Sequence, residues 1–391
     1  MTLRRGLVLM TVIVAAAAAG VAAQTTTTGW QAFESYYRGR LTQHAIVGSA
    51  VAWLDQGRIV QRANVGARDI ATSAPIDNNT IFHWASITKT FTGIAVMRLR
   101  DEGRLRLDDP IVKYVPELRS IHNPFGPVEQ VTVRHLLSHS GGFRSGTWPW
   151  GGSEEWHPFE PPGWTQLVGM MPYTRVEFAP GSRYQYSNPG IVFLGRMIED
   201  LTQEPYETYI DKQILRPLGM TRTFYDRAPA HLRDDRSHSY FVTDAGRTEA
   251  PFDFDSGITT SNGGLNAPID DMAKYLAFLT GTKDPSMSAT YDRILKRSSL
   301  EEMWKPVVKV ADNAQMGLTF FVERHDGKDF IAHSGGQNGF ISHFYLQPAT
   351  GRAYIVAFNT QTTSTKEGNA RSTRALDAEL TQWLASRWFA R

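Results

Sequence analysis

Three short groups of residues carry the chemistry this chain is equipped for. The first is Ser86-Ile87-Thr88-Lys89, a hydroxyl and an amine three residues apart. It opens a run in which Phe91, Ile94, Ala95 and Leu99 recur at three- and four-residue steps, which predicts an amphipathic helix. Ser86 then falls in the first turn and Lys89 one turn along the same face. Backbone N–H groups at a helix start are unpaired and partly positive, so they favour an anion developing on a substrate. A hydroxyl with an amine in reach has the parts of an activated nucleophile. Alone, Ser-x-x-Lys equally describes a helix cap and a solvated lysine.

The second group is Tyr184-Gln185-Tyr186-Ser187-Asn188, placed after Phe178-Ala179-Pro180-Gly181. A tyrosine beside an ammonium has its pKa lowered and can act as acid or base. An amide two residues on can bond an amine and a substrate carbonyl together. The plainer reading is a buried tyrosine followed by an Asn188-Pro189-Gly190 turn. The third group is His333-Ser334-Gly335-Gly336, at the end of the apolar run Asp329–Ala332. Glycines at a strand edge admit a ligand close to the backbone, and their N–H groups can face an oxyanion. The plainer reading here is a loop between two strands.

The elements that must position these groups come from both ends of the chain. Trp30, Phe33, Tyr37 and Leu41 follow helical spacing, and Val47–Leu54 and Arg58–Val65 flank Asp55-Gln56-Gly57 as a hairpin. From Asp108 to about Tyr209 the pattern is helical and loop-rich, with Val131–Ser138 and Ile191–Leu201 the clearest helices. Strand patterns return at Gly317–Val322, Asp329–His333, Ile341–Gln347 and Ala353–Phe358, with turns at Asp326-Gly327 and Thr350-Gly351. A last helix carries Leu376, Leu380, Trp383 and Leu384 on one face. The pattern predicts an α+β fold. One antiparallel sheet, flanked by helices, is built from both chain ends (about 30–83 and 250–391), and a mainly helical lobe (about 84–249) is inserted between them. Trp148, Trp150, Trp156 and Trp164 lie in a Gly- and Pro-rich stretch, 143–165, that either lines a pocket or packs itself down.

Composition narrows the function classes. A net charge of +2 with no long basic run gives no reason to expect nucleic acid. The absence of cysteine excludes disulfides, thiolate metal sites, a cysteine nucleophile and an N-terminal lipidated cysteine. His135 and His139 are four apart, but no third ligand at supporting spacing accompanies them, so no metal and no cofactor is assigned. No G-x-S-x-G elbow and no Walker or Rossmann glycine loop occurs. Arg4 and Arg5 precede an apolar run from Gly6 to Ala23, which reads as a secretory leader cut near Ala23, by the general or the twin-arginine route. An uncleaved anchor is the alternative. The expected product is residues 24–391, secreted or periplasmic, without a stable membrane span once the leader is removed.

In this order, Ser-x-x-Lys, Tyr-x-Asn and His-Ser-Gly resemble the three elements of the serine β-lactamase and penicillin-binding protein family. Tyr186-Ser187-Asn188 in second place makes the resemblance closest to the class C β-lactamase branch, which includes D,D-peptidases, D-aminopeptidases and esterases. His135-Leu136-Leu137-Ser138-His139, Pro217-Leu218-Gly219-Met220 and Gly263-Gly264-Leu265 before Asp271-Met272-Ala273 are similar as well. The resemblance runs from about residue 30 to 385 and implies that family's two-lobed fold, with the site in the cleft. It implies Ser86 as the acylated nucleophile and Lys89 as its proton acceptor. Tyr186 would relay protons, Asn188 would orient the substrate amide and Lys89, and the N–H groups of Ser86 and Gly336 would form the oxyanion hole. His333, Ser334 and Gly335 would bind substrate. Typical β-lactamases carry lysine where this chain has His333; an unperturbed histidine titrates near pH ~6.5 and offers a substrate carboxylate less fixed charge. The expected activity is hydrolysis of an ester, amide or peptide. A class C-like β-lactamase and an acylating penicillin-binding or sensory module without turnover are the alternatives. The expected partner is a small-molecule or peptide substrate, and the sequence does not fix the oligomeric state.

Overall fold

The strand-forming runs at the two ends of the chain pair with each other. Gly48–Asp55 lies antiparallel between Arg58–Asp69 and Arg352–Phe358, with Ala50 opposite Asn64 on one side and Ala357 on the other. The sheet continues antiparallel through Phe340–Gln347, Lys328–Gln337, Phe321–His325, Ala314–Met316 and Val308–Ala311, and Ala74–Pro75 forms its other edge. That is the expected antiparallel sheet flanked by helices. The structure, a computed structural model, describes residues 29–145, 163–253, 255–282, 284–366 and 370–389. The stretch expected to be a leader and most of the tryptophan-rich stretch lie outside the described residues.

Two-residue turns set the registers. Gln56-Gly57, Asp326-Gly327 and Asn338-Gly339 all have both residues at positive φ, the backbone that joins twisted antiparallel strands most directly. Both sheet faces are covered, so Gly48–Asp55 is buried almost throughout. Val51 and Trp53 point to the side where the first helix (29–43) and the last helix (Thr373–Arg387) pack, through Trp30, Phe33, Tyr37, Leu41, Leu376, Leu380 and Leu384. The Phe33 ring lies 5.0 Å from Trp53 and 5.2 Å from Trp383. Each fully buried large side chain of this kind contributes about 1.5–3 kcal/mol. Ala50, Ala52 and Leu54 face the larger core on the other side, which includes the helices Thr88–Asp101, Asn188–Thr202 and Ile269–Thr280.

Several expectations shift. Thr88–Asp101 is buried from Thr88 to Met97, so it is a central helix with no polar face there. Its threonines are satisfied inside the core: Tyr275 donates to Thr90 Oγ1 at 2.7 Å, and Thr92 donates to the Ser261 carbonyl at 2.5 Å. Gly317–Val322 is not a strand until Phe321, because Leu318 and Thr319 donate their N–H groups to Met303 and Leu137 in the helical body. Val131–Ser138 contracts to Val133–Leu137, whereas Ile191–Leu201 grows to Asn188–Thr202. Asn188-Pro189-Gly190 is thus a helix start, capped by Ser187 Oγ accepting from the Gly190 N–H at 3.1 Å. Among the described residues, no helix is long and apolar enough to cross a membrane.

Candidate active site

A short strand, Ile81–His83, pairs with Leu265–Pro268 and delivers the chain to Ser86. Trp84 is fixed at both ends: its backbone N–H donates to Leu265 at 2.8 Å and its indole to the Ala267 carbonyl at 2.9 Å. The backbone then turns sharply. Ala85 has φ +47, a left-handed conformation that costs a non-glycine residue ~1–3 kcal/mol. Ala85–Ile87 form a 3-10 turn, so Ser86 sits just ahead of the α-helix and not within its first turn. Thr88 Oγ1 donates to the Ala85 carbonyl at 2.6 Å, and Ser342 Oγ donates to the Trp84 carbonyl at 3.1 Å. The strand Lys328–Gln337 presses against this turn. A Cβ at Gly335 would collide with the Trp84 carbonyl and the Ser342 hydroxyl, so only glycine lets the strand come so close.

Lys89 is fully buried, and its Nζ lies 2.9 Å from Ser86 Oγ and donates to the Asn262 carbonyl at 2.9 Å. Burial alone holds its pKa well below the usual range, which favours the neutral amine and leaves a lone pair for the Ser86 proton. Tyr186 stands over the same two groups. Its hydroxyl shares a hydrogen bond with Ser86, and Lys89 Nζ lies over its ring, 4.9 Å from the centroid. The expectation of a lowered tyrosine pKa is corrected: burial pushes the phenol up and outweighs the Ser86 bond and the nearby Arg374 charge. Desolvation penalises the phenolate more than those two groups favour it. The site therefore places an amine whose neutral form is favoured and a phenol whose protonated form is favoured around one hydroxyl.

Asn188 reaches the same region from the start of its helix, but its buried Oδ1 has no protein partner, and Lys89 bonds the Asn262 carbonyl instead. His333-Ser334-Gly335-Gly336 belongs to the strand Lys328–Gln337 and is not the end of a shorter one. The neighbouring strand stops pairing at Phe321 opposite Ala332, so residues 333–337 pair in the sheet only with Phe340–Phe344. Gly336 is exposed along this segment. His333 is 1% exposed, and its Nδ1 lies 2.7 Å from the Ser334 carbonyl, to which it donates, leaving an acceptor lone pair on Nε2 without a partner. Burial, and then the neighbouring Lys89, push its pKa down to about 3. Position 333 thus carries no charge at neutral pH, a stronger departure from lysine than an unperturbed histidine would make.

The sequence matches the Beta-lactamase family over residues 33–379. This chain belongs to the β-lactamase family. Protein flp of Staphylococcus aureus is 23% identical over 329 residues, 84% of this chain and 63% of that protein, so the chain spans less than two thirds of that relative's length. The octameric penicillin-binding protein homologue from Pyrococcus abyssi superposes with a TM-score of 0.72 at 27% identity, covering 90% of this chain and 77% of the other. A class C beta-lactamase superposes with a TM-score of 0.75 at 18% identity, covering 92% and 96% of the two chains.

Three residues of this family member's cleft have no role in it assigned from the sequence. Asn262, which anchors Lys89 through its carbonyl, lies just before Gly263-Gly264 in a stretch singled out only for its glycines. His139 stacks on Tyr186, with ring centroids 4.5 Å apart, and its Nδ1 accepts the Ser187 N–H at 3.1 Å. His135 does different work: with Thr132 it closes a capping box, while His139 leaves the helix at φ +53. The spacing of four that suggested a shared helix face is therefore broken after Leu137. Among the described residues no group of His, Asp or Glu is arranged to hold a metal. The third residue is Arg374, an exposed cation in the first turn of the last helix, whose guanidinium lies where a side chain at Gly336 would go. No spacing in the sequence ties it to Gly336, because the two meet only when the last helix folds over the sheet.

Proposed function

We propose that this protein is an exported hydrolase that cleaves an ester, amide or peptide by acylating Ser86. The observation that carries the reading is the buried Lys89 amine, 2.9 Å from Ser86 Oγ, whose neutral form desolvation favours. As Ser86 attacks the substrate carbonyl, Lys89 takes its proton, and the tetrahedral oxyanion forms against the N–H groups of Ser86 and Gly336. Each such donor is typically worth ~10²–10³ in rate. Tyr186, protonated at rest, hands a proton to the leaving group and takes one back from the water that attacks the acyl-enzyme, while Lys89 returns its proton to the departing Ser86 Oγ. Asn188 Oδ1 accepts from a substrate N–H, which would satisfy its orphaned lone pair. The half-paired strand 333–337 suits a substrate with a peptide-like backbone.

Charge selection in this reading lies with Arg374 and not with residue 333. A neutral His333 at the floor and an exposed guanidinium beside Gly336 favour substrates that carry a carboxylate toward the cleft mouth. Peptides and esters with a free acid meet that description, and a β-lactam is the second reading on the same observation. The leader, cut near Ala23, would deliver the enzyme outside the cytoplasm. The test is a panel of p-nitrophenyl esters, D-amino-acid amides, D-Ala-D-Ala peptides and nitrocefin, with Ser86→Ala as control. Turnover is expected to vanish in Ser86→Ala, and a fluorophosphonate should add once to the wild type, on Ser86. An adduct elsewhere, or activity retained in the variant, overturns the assignment. A burst with no steady state on every substrate would point to the non-turnover module.

A further inference from the structure

One buried acid–base pair lies outside the catalytic group. His343 Nδ1 lies 2.7 Å from Asp377 Oδ2, both side chains are nearly buried, and Asp377 Oδ1 has no second partner. His343 belongs to the strand that pairs with the active-site strand, directly opposite Ser334 and two residues from Ile341, which faces Gly336. Asp377 belongs to the last helix, three residues after Arg374 and so on the same face. The two contacts lie side by side: Arg374 over Gly336, and Asp377 on His343. The imidazole is held further by the Tyr345 ring, 4.5 Å away, and Tyr345 in turn donates to Glu323. Asp377 and Glu323 favour the protonated imidazole strongly enough to overcome its burial, with Arg374 opposing. A groove along this face, lined by Tyr36, His343, Tyr345 and Arg374, among others, connects the pair to solvent.

We infer that the His343–Asp377 pair is a positioning device that holds the first turn of the last helix against the active-site strand and so sets where Arg374 meets an anionic substrate. The catalytic group itself gains nothing from the pair: none of its hydrogen bonds runs through His343 or Asp377. The pair acts on charge recognition alone. A buried charged hydrogen bond fixes geometry because breaking it strands the partner without water, a penalty that a surface pair lacks. This inference rests on the reading of Arg374 given above.

The experiment separates the two. Matched phenyl esters and their m-carboxyphenyl counterparts share one acyl group and hence one acyl-enzyme, so differences in kcat/KM between them belong to acylation. A second pair carries the carboxylate at the end of the acyl chain. Arg374→Gln should lower the acid-to-neutral ratio of kcat/KM in at least one pair. If it changes neither, the reading of Arg374 fails and the inference falls with it. Given that Arg374 passes, His343→Gln and Asp377→Asn should each lower the same ratio by about tenfold, through KM for the acid, while neutral-ester rates stay within twofold. Where one variant fails to fold, the other carries the test. In the Arg374→Gln background the second substitution should add no further loss. An unchanged ratio in a folded His343 or Asp377 variant, an equal loss on acid and neutral esters, or full additivity with Arg374→Gln overturns the positioning role.

Discussion

His333 gives the sharpest quantitative expectation. Its folded pKa is about 3 against an ordinary 6.5, because the ring is buried and faces Lys89. In the unfolded chain the same imidazole takes up a proton as pH falls below 6.5, while the folded one stays neutral until about 3. The unfolded state therefore binds more protons throughout that window, and stability is lost as pH drops. Between pH 7 and pH 5 the loss from this one residue is about 2 kcal/mol, at ~1.36 kcal/mol per pH unit per proton. His83, held down to about 4 by burial between Gln337 and Asn266, adds a similar amount, and His139 moves in the same direction. Urea unfolding of wild type and His333→Asn at pH 5, 6, 7 and 8 isolates the term. The variant is less stable at pH 7, but its loss between pH 7 and pH 5 should be smaller by about 2 kcal/mol. Parallel curves for the two proteins would mean that His333 is protonated in the fold. Position 333 would then supply charge to the cleft after all. Imidazole ¹⁵N shifts read the same point directly, with one His333 nitrogen unprotonated at pH 5.

Tyr186→Phe keeps the ring against His139 and Lys89 and removes only the hydroxyl, so turnover should fall by ~10²-fold or more with the fold intact. Tyr184→Phe is the control; a crippled Tyr184 variant beside an active Tyr186 variant would show the register to be wrong. Gly335→Ala should lower kcat/KM at least tenfold, because a methyl there must push the strand away from the Trp84 carbonyl that shapes the Ser86 turn. Wild-type rates and an unchanged Tm would refute the close approach.

What the sequence made legible was what short-range physics controls. Helical spacing at 30–41 and 376–384 and the turns at Gln56-Gly57 and Asp326-Gly327 hold in the structure because period and turn chemistry act locally. Asn338-Gly339 was equally readable, and it alone would have carried the strand past His333 to Gln337. The spacing of Phe91, Ile94, Ala95 and Leu99 marks one buried face of the helix after Ser86, but Thr90 and Thr92 on the other side are buried too and bonded to distant partners. The site divides in the same way. Ser86 and Lys89 meet through local geometry, but Asn262 reaches Lys89 across 173 positions and Arg374 reaches Gly336 through the packing of the last helix. The pKa directions of Tyr186 and His333 follow from burial, which no spacing reports.

The pairing of Gly48–Asp55 with Arg352–Phe358 bears on how the protein assembles itself. The strand Gly48–Asp55 finds this neighbour about three hundred residues further on, so the central sheet cannot close until everything between the two is made. The Ser86 turn leans on Ser342 and Gly335, both from that late segment. The strained backbone at Ala85 therefore draws its support across 258 positions of sequence. Contacts of such long sequence separation slow folding, since loop closure is costly before any contact rewards it. The same pairing ties the first and last helices together, Arg40 bonding Glu379 at 2.7 Å, so the protein's reactive hydroxyl is set in place by an act of closure between its two ends.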